Sequence, residues 1–439
     1  MQNKHIFYII AANTLWSLIP VIVFGLFNKV SIITIIFLRF FVSGIILFAS
    51  AIIFVVINNK YTSKEPISLK ILFKFTISKN ESFFKMRYIC YFAILGFFGI
   101  IIQLIFFFLA LKITTISLTM IGFQLAMIII AFYEHGAQSE KLDLFKSLYI
   151  IILVFSIGII IFIKAQESIV NGSRFTLIGF TYIILFTLSL TFFQITVDRD
   201  IYSKDEIKVI NQNENYKIAR LLLKISLIFI TGIALMFPFV IILYLIPFKT
   251  DLTPEIAQFF SEFSNFFQTS FRWEIIFLIL FSTIIPYILL FIAYAKWSPY
   301  NLTYRQWNSI LTVIEPIGGI FFSVIFGVEA FPLAFLTIIL FLLIISILLR
   351  YIHESTNKVN AYLLLTQKKG TLKGLPLQIL KFNGIYSIKS LIGTYDLLVN
   401  IRTNSIRDFY CLVNDRIRNL EEITNIKILF INKIFKIIT

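Results

Sequence analysis

Ten runs of this sequence are apolar over 17 to 28 residues, and none holds more than one charged side chain. A helix of about 20 apolar residues crosses the hydrocarbon core of a bilayer. The first run is too long for a signal peptide and lacks a small-residue cleavage site, so it counts as a span. We predict ten membrane-spanning helices at 6–27, 30–57, 88–111, 113–133, 147–163, 175–197, 225–248, 275–295, 306–328 and 330–349.

The composition excludes most alternatives to a membrane protein. Of 439 residues, 59% are hydrophobic and 14% are charged, whereas soluble globular chains contain about 25% charged residues. A soluble enzyme and a disordered chain are both excluded, because disorder requires low hydrophobicity.

Few side chains are suited to chemistry. The chain has three His and two Cys, Cys90 and Cys411, which predicts neither a disulfide framework nor a rich metal site. The sequence has no GxSxG, HExxH or Walker A motif. We therefore expect no catalytic residue, no metal and no cofactor. A membrane enzyme such as an acyltransferase is a rival reading, but its catalytic His or Asp pair near a membrane face is missing.

Lys and Arg concentrate in alternate loops. Seven lie in 58–87 and five in 198–220, whereas all the loops of the opposite side together hold six. Basic loops stay in the cytoplasm, so both termini are predicted to be cytoplasmic in the cell membrane.

Two long loops contain amphipathic patterns. Residues 67–77 are apolar with Lys70 and Lys74 on one helical face, which predicts a helix lying in the interface. Residues 249–273 carry five Phe at helical spacing, at positions 259, 260, 263, 266 and 267. This second segment is either another interfacial helix on the outer face or a substrate gate.

The sequence also contains signs of an internal repeat. An offset of 184 aligns 95–112 with 279–296, pairing Lys112 with Lys296 and Gln103 with Tyr287. A repeat of five helices places its second copy upside down in the membrane, which is the arrangement of many transporters. We predict a polytopic α-helical protein with two inverted five-helix repeats, at 1–163 and 164–356, followed by a small α+β domain at 357–439.

Several motifs, in order along residues 6–350, resemble the EamA-type drug/metabolite transporter family. They are Leu15-Trp16-Ser17 with Pro20, Phe37-Leu38-Arg39-Phe40, Ala110-Leu111-Lys112, and Glu315-Pro316 with Gly327 and Glu329. The chain departs from the family at Ser17, where Gly is usual, and in span 4, which lacks the matching Pro. The resemblance implies a multi-pass permease for a small organic solute.

Polar residues inside the spans are the candidates for a transport path. Arg39 and Glu315 are the two charges well inside, and charges there are costly and usually face a bundle interior or a cavity. Arg39 could instead extend to the interface, and Glu315 could form a structural bond to a neighbouring helix. Pro316 favours a local break in the helix beside Glu315. Further candidates for substrate binding are Trp16, Gln103, Gln124 and Tyr287, whose alternative is helix packing.

The tail changes composition after Asn357. Its pattern predicts strands at 361–367, 385–391, 396–402 and 426–434 and helices at 375–381 and 405–419, in the β-α-β-β-α-β order of a ferredoxin-like unit. The unit carries 13 Lys or Arg and 5 Asp or Glu. Because these are scattered without a basic stripe, we expect no nucleic-acid partner.

The segment Gly393-Thr394-Tyr395-Asp396 resembles the signature of the effector domain of Lrp/AsnC-type regulators, over about 360–434. The resemblance implies that an amino-acid effector binds near Gly393, Tyr395 and Asp396. Gly393 has the alternative of an ordinary hairpin glycine. Both faces of the first strand are largely apolar, so we expect the open face to pair with another copy in a homodimer or larger assembly.

Taken together, the sequence predicts a permease for a small metabolite such as an amino acid, which sits in the lipid bilayer and is regulated through its tail. The alternative is a membrane receptor that does not transport and that signals through the tail.

Overall fold

Ten long apolar helices and a small antiparallel sheet make up the protein, as a computed structural model describes it. Lipid offers no partners to the backbone, so a run of about 20 apolar residues satisfies its own N–H and C=O groups as a helix. The described residues are 2–61, 65–77, 87–138, 142–171, 177–197, 204–246, 250–297, 302–356, 359–368, 374–380, 382, 384–403, 406–420 and 422–430.

The ten predicted spans are confirmed as helices long and apolar enough to cross a membrane. They are spans 1 to 10, in order Lys4–Phe24, Ile32–Tyr61, Tyr88–Ile113, Ile116–Gly136, Leu144–Glu167, Leu177–Val197, Tyr216–Leu245, Trp273–Ala295, Tyr304–Ile325 and Leu333–Thr356.

The predicted start of span 7 at residue 225 was wrong by nine residues. The helix begins at Tyr216 and includes Arg220 and Lys224, which the sequence pattern had assigned to a loop. Arg220 forms an ion pair of 2.5 Å with Glu206, and Lys224 Nζ donates to the Val197 carbonyl at 2.5 Å. Because both cations are paired and buried, the helix continues through them.

Several spans are not regular α-helices. Span 1 divides into Gln2–Ser17 and Ile19–Phe24, and span 9 into Tyr304–Leu311 and Ile314–Ile325. Span 3 contains a π-helical segment at Phe97–Ile102, and span 8 contains one at Leu280–Ile284. The break in span 9 lies just before Glu315-Pro316, where proline removes a backbone donor.

Besides the short helical turns Phe263–Asn265 and Phe266–Ser270 and the π-helical segment Leu412–Ile417, the described residues form five shorter helices. They are α1 (Leu69–Ile77), α2 (Lys204–Gln212), α3 (Leu252–Glu262), α4 (Leu375–Leu380) and α5 (Ile406–Cys411). The structure thus has a helix, α1, within the predicted segment 67–77, and its place in the membrane interface stays a prediction.

By its contacts the chain forms two compact units. The first contains Met1–Ile129, Ile152–Trp297 and Trp307–Ile345, and the second contains Ile130–Ile151, Ser298–Gln306 and Ser346–Thr439. In the first unit, spans 3 and 7 cross with their backbones in contact: a Cβ added to Gly232 would lie 2.8 Å from the main-chain carbon of Gly96. Glycine at both positions permits this crossing.

The second unit contains a four-stranded antiparallel sheet in the order β2-β3-β1-β4. The strands are β1 (Val359–Gln367), β2 (Ile385–Ser390), β3 (Leu397–Thr403) and β4 (Ile423–Phe430). Alternate residues of β1 and β3, such as Leu363 and Val399, are fully buried beneath Phe409 and Val413. Positions 431–434 of the predicted last strand lie outside the described residues.

Candidate functional site

Arg39 in span 2 is buried, with 4% of its surface exposed, and bonds to span 8. Its Nε donates to Thr283 Oγ1 at 2.8 Å, and its Nη2 donates to the Ser282 carbonyl at 2.9 Å. Its Nη1 has no hydrogen-bond partner among the described residues. The guanidinium therefore points into the bundle rather than extending to the interface, and it has one donor group to spare.

The Ser282 carbonyl is free to accept these bonds because Pro286 follows four residues later. In an α-helix the N–H of residue 286 would bond to that carbonyl, and proline has none. The π-helical segment Leu280–Ile284 is a second departure from regular α-helical geometry in span 8. Within it, Thr283 Oγ1 donates to the Leu278 carbonyl five residues back. The primary sequence of span 8 thus creates an acceptor in the membrane interior.

Two aromatic residues, Trp16 and Tyr287, lie around the Ser282 carbonyl. Trp16 Nε1 donates to the Ser282 carbonyl at 3.1 Å, and the Trp16 ring meets the Tyr287 ring edge-on at 5.6 Å between centroids. Phe229 of span 7 contacts Tyr287 from another direction at 5.5 Å. Residues from spans 1, 2, 7 and 8 therefore converge around Ser282 and Tyr287.

Glu315 lies on span 9, directly after its break, and is 9% exposed. Within the described part of the chain, no side chain forms an ion pair or hydrogen bond with its carboxylate. Tyr287 is close enough to interact electrostatically with both Glu315 and Arg39. The site thus contains one cation and one anion, of which the anion has no partner of opposite charge.

Gln124 lies at the level of Glu315 on the antiparallel span 4. The register of these spans is set by Gly319, where an added Cβ would lie 2.6 Å from Met120, and beyond the end of span 9 Ser117 Oγ donates to Glu329 at 2.9 Å. One further turn along each helix brings Gln124 beside Glu315. Gln124 is fully buried, and neither of its amide atoms has a partner among the described residues.

Gln103 follows the π-helical segment of span 3, which packs against spans 6 and 7, whereas the matching segment of span 8 packs against spans 1 and 2. The repeat alignment pairs Gln103 with Tyr287, and its role in the site stays a prediction. Five predicted residues, Trp16, Arg39, Gln124, Tyr287 and Glu315, lie near one level.

Sequence reasoning missed Ser282 and Thr283, which hold Arg39. A usable signal was present, because two adjacent hydroxyl residues in an apolar span precede a proline. Phe229 gave no such signal, since it is one of 51 Phe in the chain.

The five-Phe segment at 249–273 is divided between two environments. Phe259 is fully buried, whereas Phe263 and Phe267 are 56% and 77% exposed. On α3, Glu255 accepts the Ile32 N–H at 2.7 Å and pairs with Lys112 at 2.5 Å. The carboxylate thereby caps the first turn of span 2, whose N–H groups lack partners within the helix. The segment is anchored to spans 2 and 3, as well as presenting an aromatic surface.

In the tail, the loop between β2 and β3 holds the predicted effector residues. Gly393 has φ of 146°, a conformation that side chains rarely adopt, and a Cβ there would meet nothing within 4 Å. The backbone conformation, rather than crowding by described atoms, therefore requires glycine. Asp396 Oδ2 accepts the Gln367 N–H at 2.7 Å, and Tyr395 beside it is half-buried. The Gln367 amide is 9% exposed and unpartnered among described residues, which the sequence did not suggest.

Comparisons with known proteins do not assign a family. No protein-family model matches the chain, and no curated protein matches it. A solved structure described as "Crystal structure of protein" is similar over 81% of this chain and 100% of that chain, with 12% identity and a TM-score of 0.47. A likeness of this degree assigns neither fold nor function. The described residues contain no group of three His, Cys, Asp or Glu that could hold a metal ion.

Proposed function

We propose that this multi-pass membrane protein is a permease of the EamA type, which moves a small organic metabolite such as an amino acid by alternating access. The observation that carries the proposal is the polar site inside the spans. Arg39 and Glu315 are buried charges at a depth where charge costs about 2.5–3.5 kcal/mol on insertion scales. Arg39 keeps a spare donor, and Glu315 has no described partner. A zwitterionic solute would satisfy both charges.

Packing within the first unit supports two inverted repeats. The π-helical segments of spans 3 and 8 overlap when shifted by the predicted offset of 184. The first packs on spans 6 and 7, and the second packs on spans 1 and 2, so each half supplies the neighbours of the other's segment. Packing of each segment on spans of the other half is the kind of contact that would change if the two halves rocked against each other during transport.

The charge distribution supports an orientation with both termini in the cytoplasm, because the loops 58–87 and 198–220 are the basic ones. The tail would then meet cytoplasmic effectors. Its β-α-β-β-α-β order and its strand order β2-β3-β1-β4 support the proposal of a ferredoxin-like unit.

We extend the proposal to an Lrp/AsnC-like sensing role for the tail, with an amino acid bound near Gly393, Tyr395 and Asp396. The sheet face opposite the helices presents Leu364 paired with Leu398, both half-buried. Covering this face with a second copy would remove apolar surface from water at about 25 cal/mol per Å². A homodimer or larger assembly follows from this pairing.

A receptor that does not transport is the second candidate, and the tail favours it, since a sensing domain alone could signal. Deleting 357–439 discriminates the two. Solute movement that survives the deletion supports the permease, and its absence in both forms supports the receptor.

The direct test uses proteoliposomes and three probes that share one branched carbon chain. Leucine is zwitterionic, 3-methylbutylamine lacks its carboxylate and is cationic, and 4-methylpentanoate lacks its ammonium group and is anionic. After the rate in protein-free vesicles is subtracted, we expect leucine to move fastest. Equal leak rates with and without protein, for these and for a wider panel of amino acids, would contradict the proposal.

A further inference from the structure

A buried polar cluster joins the ends of four spans within the second unit. Glu134 at the end of span 4 pairs with Lys146 of span 5 at 3.1 Å and with Arg350 of span 10 at 2.7 Å. Arg350 also pairs with Glu354 at 2.9 Å, and Glu354 accepts Gln306 Nε2 of span 9 at 2.8 Å. Four helices are thereby linked through consecutive bonds between side chains.

A second contact, between His353 and Asp143, also links span 10 to the start of span 5. His353 Nδ1 lies 2.8 Å from Asp143 Oδ1, and the same oxygen accepts the Lys146 N–H at 2.8 Å, which caps the start of span 5. The Arg350 guanidinium lies 5.6 Å from the Tyr149 ring centre. Spans 5 and 10 are therefore held at several points.

Burial makes this cluster act as a set. The Lys146 side chain is fully buried, and those of Arg350 and Glu354 are 3% and 7% exposed. Removing one charged partner leaves another charge buried in a protein interior that solvates it poorly, and the remaining hydrogen bonds and ion pairs weaken with it. We therefore expect the side chains of this cluster to rearrange together rather than one by one.

The cluster is also next to the tail in the chain. Span 10 ends at Thr356 and β1 begins at Val359, so two residues separate them. The cluster residues and the whole tail belong to the same compact unit. The cluster is also connected to the membrane site through two helices. Glu134 lies on span 4 together with Gln124, and Gln306 lies on span 9 together with Glu315. Two of the four helices that carry the cluster, spans 4 and 9, therefore also carry a residue of the membrane site.

We infer that this cluster transmits the state of the tail to spans 4, 5, 9 and 10, so that a ligand of the tail acts on transport through these buried charges. The inference rests on the proposed function for its transport consequence, but its mechanical part stands alone. A tail ligand shifts the spans only to the extent that the cluster ties the two together.

Hydrogen exchange of the full chain in lipid nanodiscs tests the mechanical part. Glu134→Gln should speed exchange in the ends of spans 4, 5 and 10 and, by about tenfold, in β1 and β3. Helix α3, which belongs to the first unit, should be unchanged. The matched control is Asp205→Asn, which removes a carboxylate that is 79% exposed and paired with Lys208.

Acceleration limited to the span ends, or no acceleration, would overturn the inference, as would equal acceleration in α3. If Glu134→Gln is not recovered folded, Asp143→Asn gives the same readout from a carboxylate that is 26% exposed. The transport part is tested in proteoliposomes, provided that the wild-type protein moves leucine. Each amino acid of a fixed panel is added on the side of the tail, and Glu134→Gln should reduce the change in leucine transport rate that these additions cause. Absence of wild-type transport would count against the permease, and the exchange result would still decide the coupling.

Discussion

The Nη2 atom of Arg39 lies 2.9 Å from the main-chain oxygen of Ser282, a residue 243 positions later in the chain. Trp16 donates to the same oxygen. One carbonyl, left without its helical donor by Pro286, therefore fixes a guanidinium and an indole in the membrane interior. The predictions below follow from this arrangement and from the packing around it.

Arg39→Lys keeps the charge but cannot reach both Thr283 Oγ1 and the Ser282 carbonyl in the same geometry. Hydrogen bonds to charged groups contribute about 1.5–3 kcal/mol each, so leucine transport should fall at least about tenfold. Initial rates in proteoliposomes measure this. Arg272→Lys, at an exposed position, is the control and should transport normally.

Pro286→Ala restores the N–H that competes for the Ser282 carbonyl. We expect a helix as stable as the wild type or more so, by up to about 3 kcal/mol, together with slower transport because Arg39 and Trp16 lose their acceptor. Thermal melting and transport rates on the same preparation separate the two effects. Pro238→Ala in span 7, at an exposed position, should leave transport unchanged. Unchanged rates in Pro286→Ala would show that this carbonyl does not matter.

Glu315→Gln removes the buried carboxylate without changing its size. If Glu315 holds a cationic group or a coupling proton, transport of leucine is lost or uncoupled while insertion and melting stay close to wild type. Glu214→Gln, at an exposed position, is the matched control. Wild-type rates in Glu315→Gln would remove Glu315 from the path.

Gly232→Ala places a Cβ 2.8 Å from the Gly96 backbone, so spans 3 and 7 must separate. Overpacking of this kind costs about 1–3 kcal/mol, which should lower the melting temperature by several degrees. Gly158→Ala in span 5 is the matched control, because its Cβ would meet nothing within 4 Å. That variant should gain about 0.5–1 kcal/mol, since alanine favours a helix more than glycine does.

Labelling of single cysteines tests the orientation in cells. In a Cys90→Ser, Cys411→Ser background, Phe75→Cys should be protected from a membrane-impermeant maleimide and Asn171→Cys should react. Both original cysteines are exposed, which is why they must be removed. The opposite pattern would place both termini outside the cell.

Local sequence determined the spans and the tail elements. Each span is a continuous apolar run, and in lipid such a run has one way to satisfy its backbone, so composition alone identifies all ten. In β1 the sequence predicted the strand but not its buried face, because Leu363 and Leu364 are equally apolar, and only the structure shows Leu363 buried and Leu364 half-buried. The predicted start of span 7 was wrong because a charge in the helix is paired with a residue of another element. Arg220 of span 7 forms an ion pair with Glu206 of α2, and the sequence pattern did not show this pairing.

Only the tertiary structure decided which polar residues share a site. Gln103 and Tyr287 match in the repeat, yet the π-helical segments before them pack on different pairs of spans, and the ring of Tyr287 meets that of Trp16. The partner of Arg39 is a carbonyl, which every residue carries, so nothing in the sequence names it without the fold. The apolar runs specify helices through short-range backbone chemistry, whereas the site depends on the register between helices far apart in the chain.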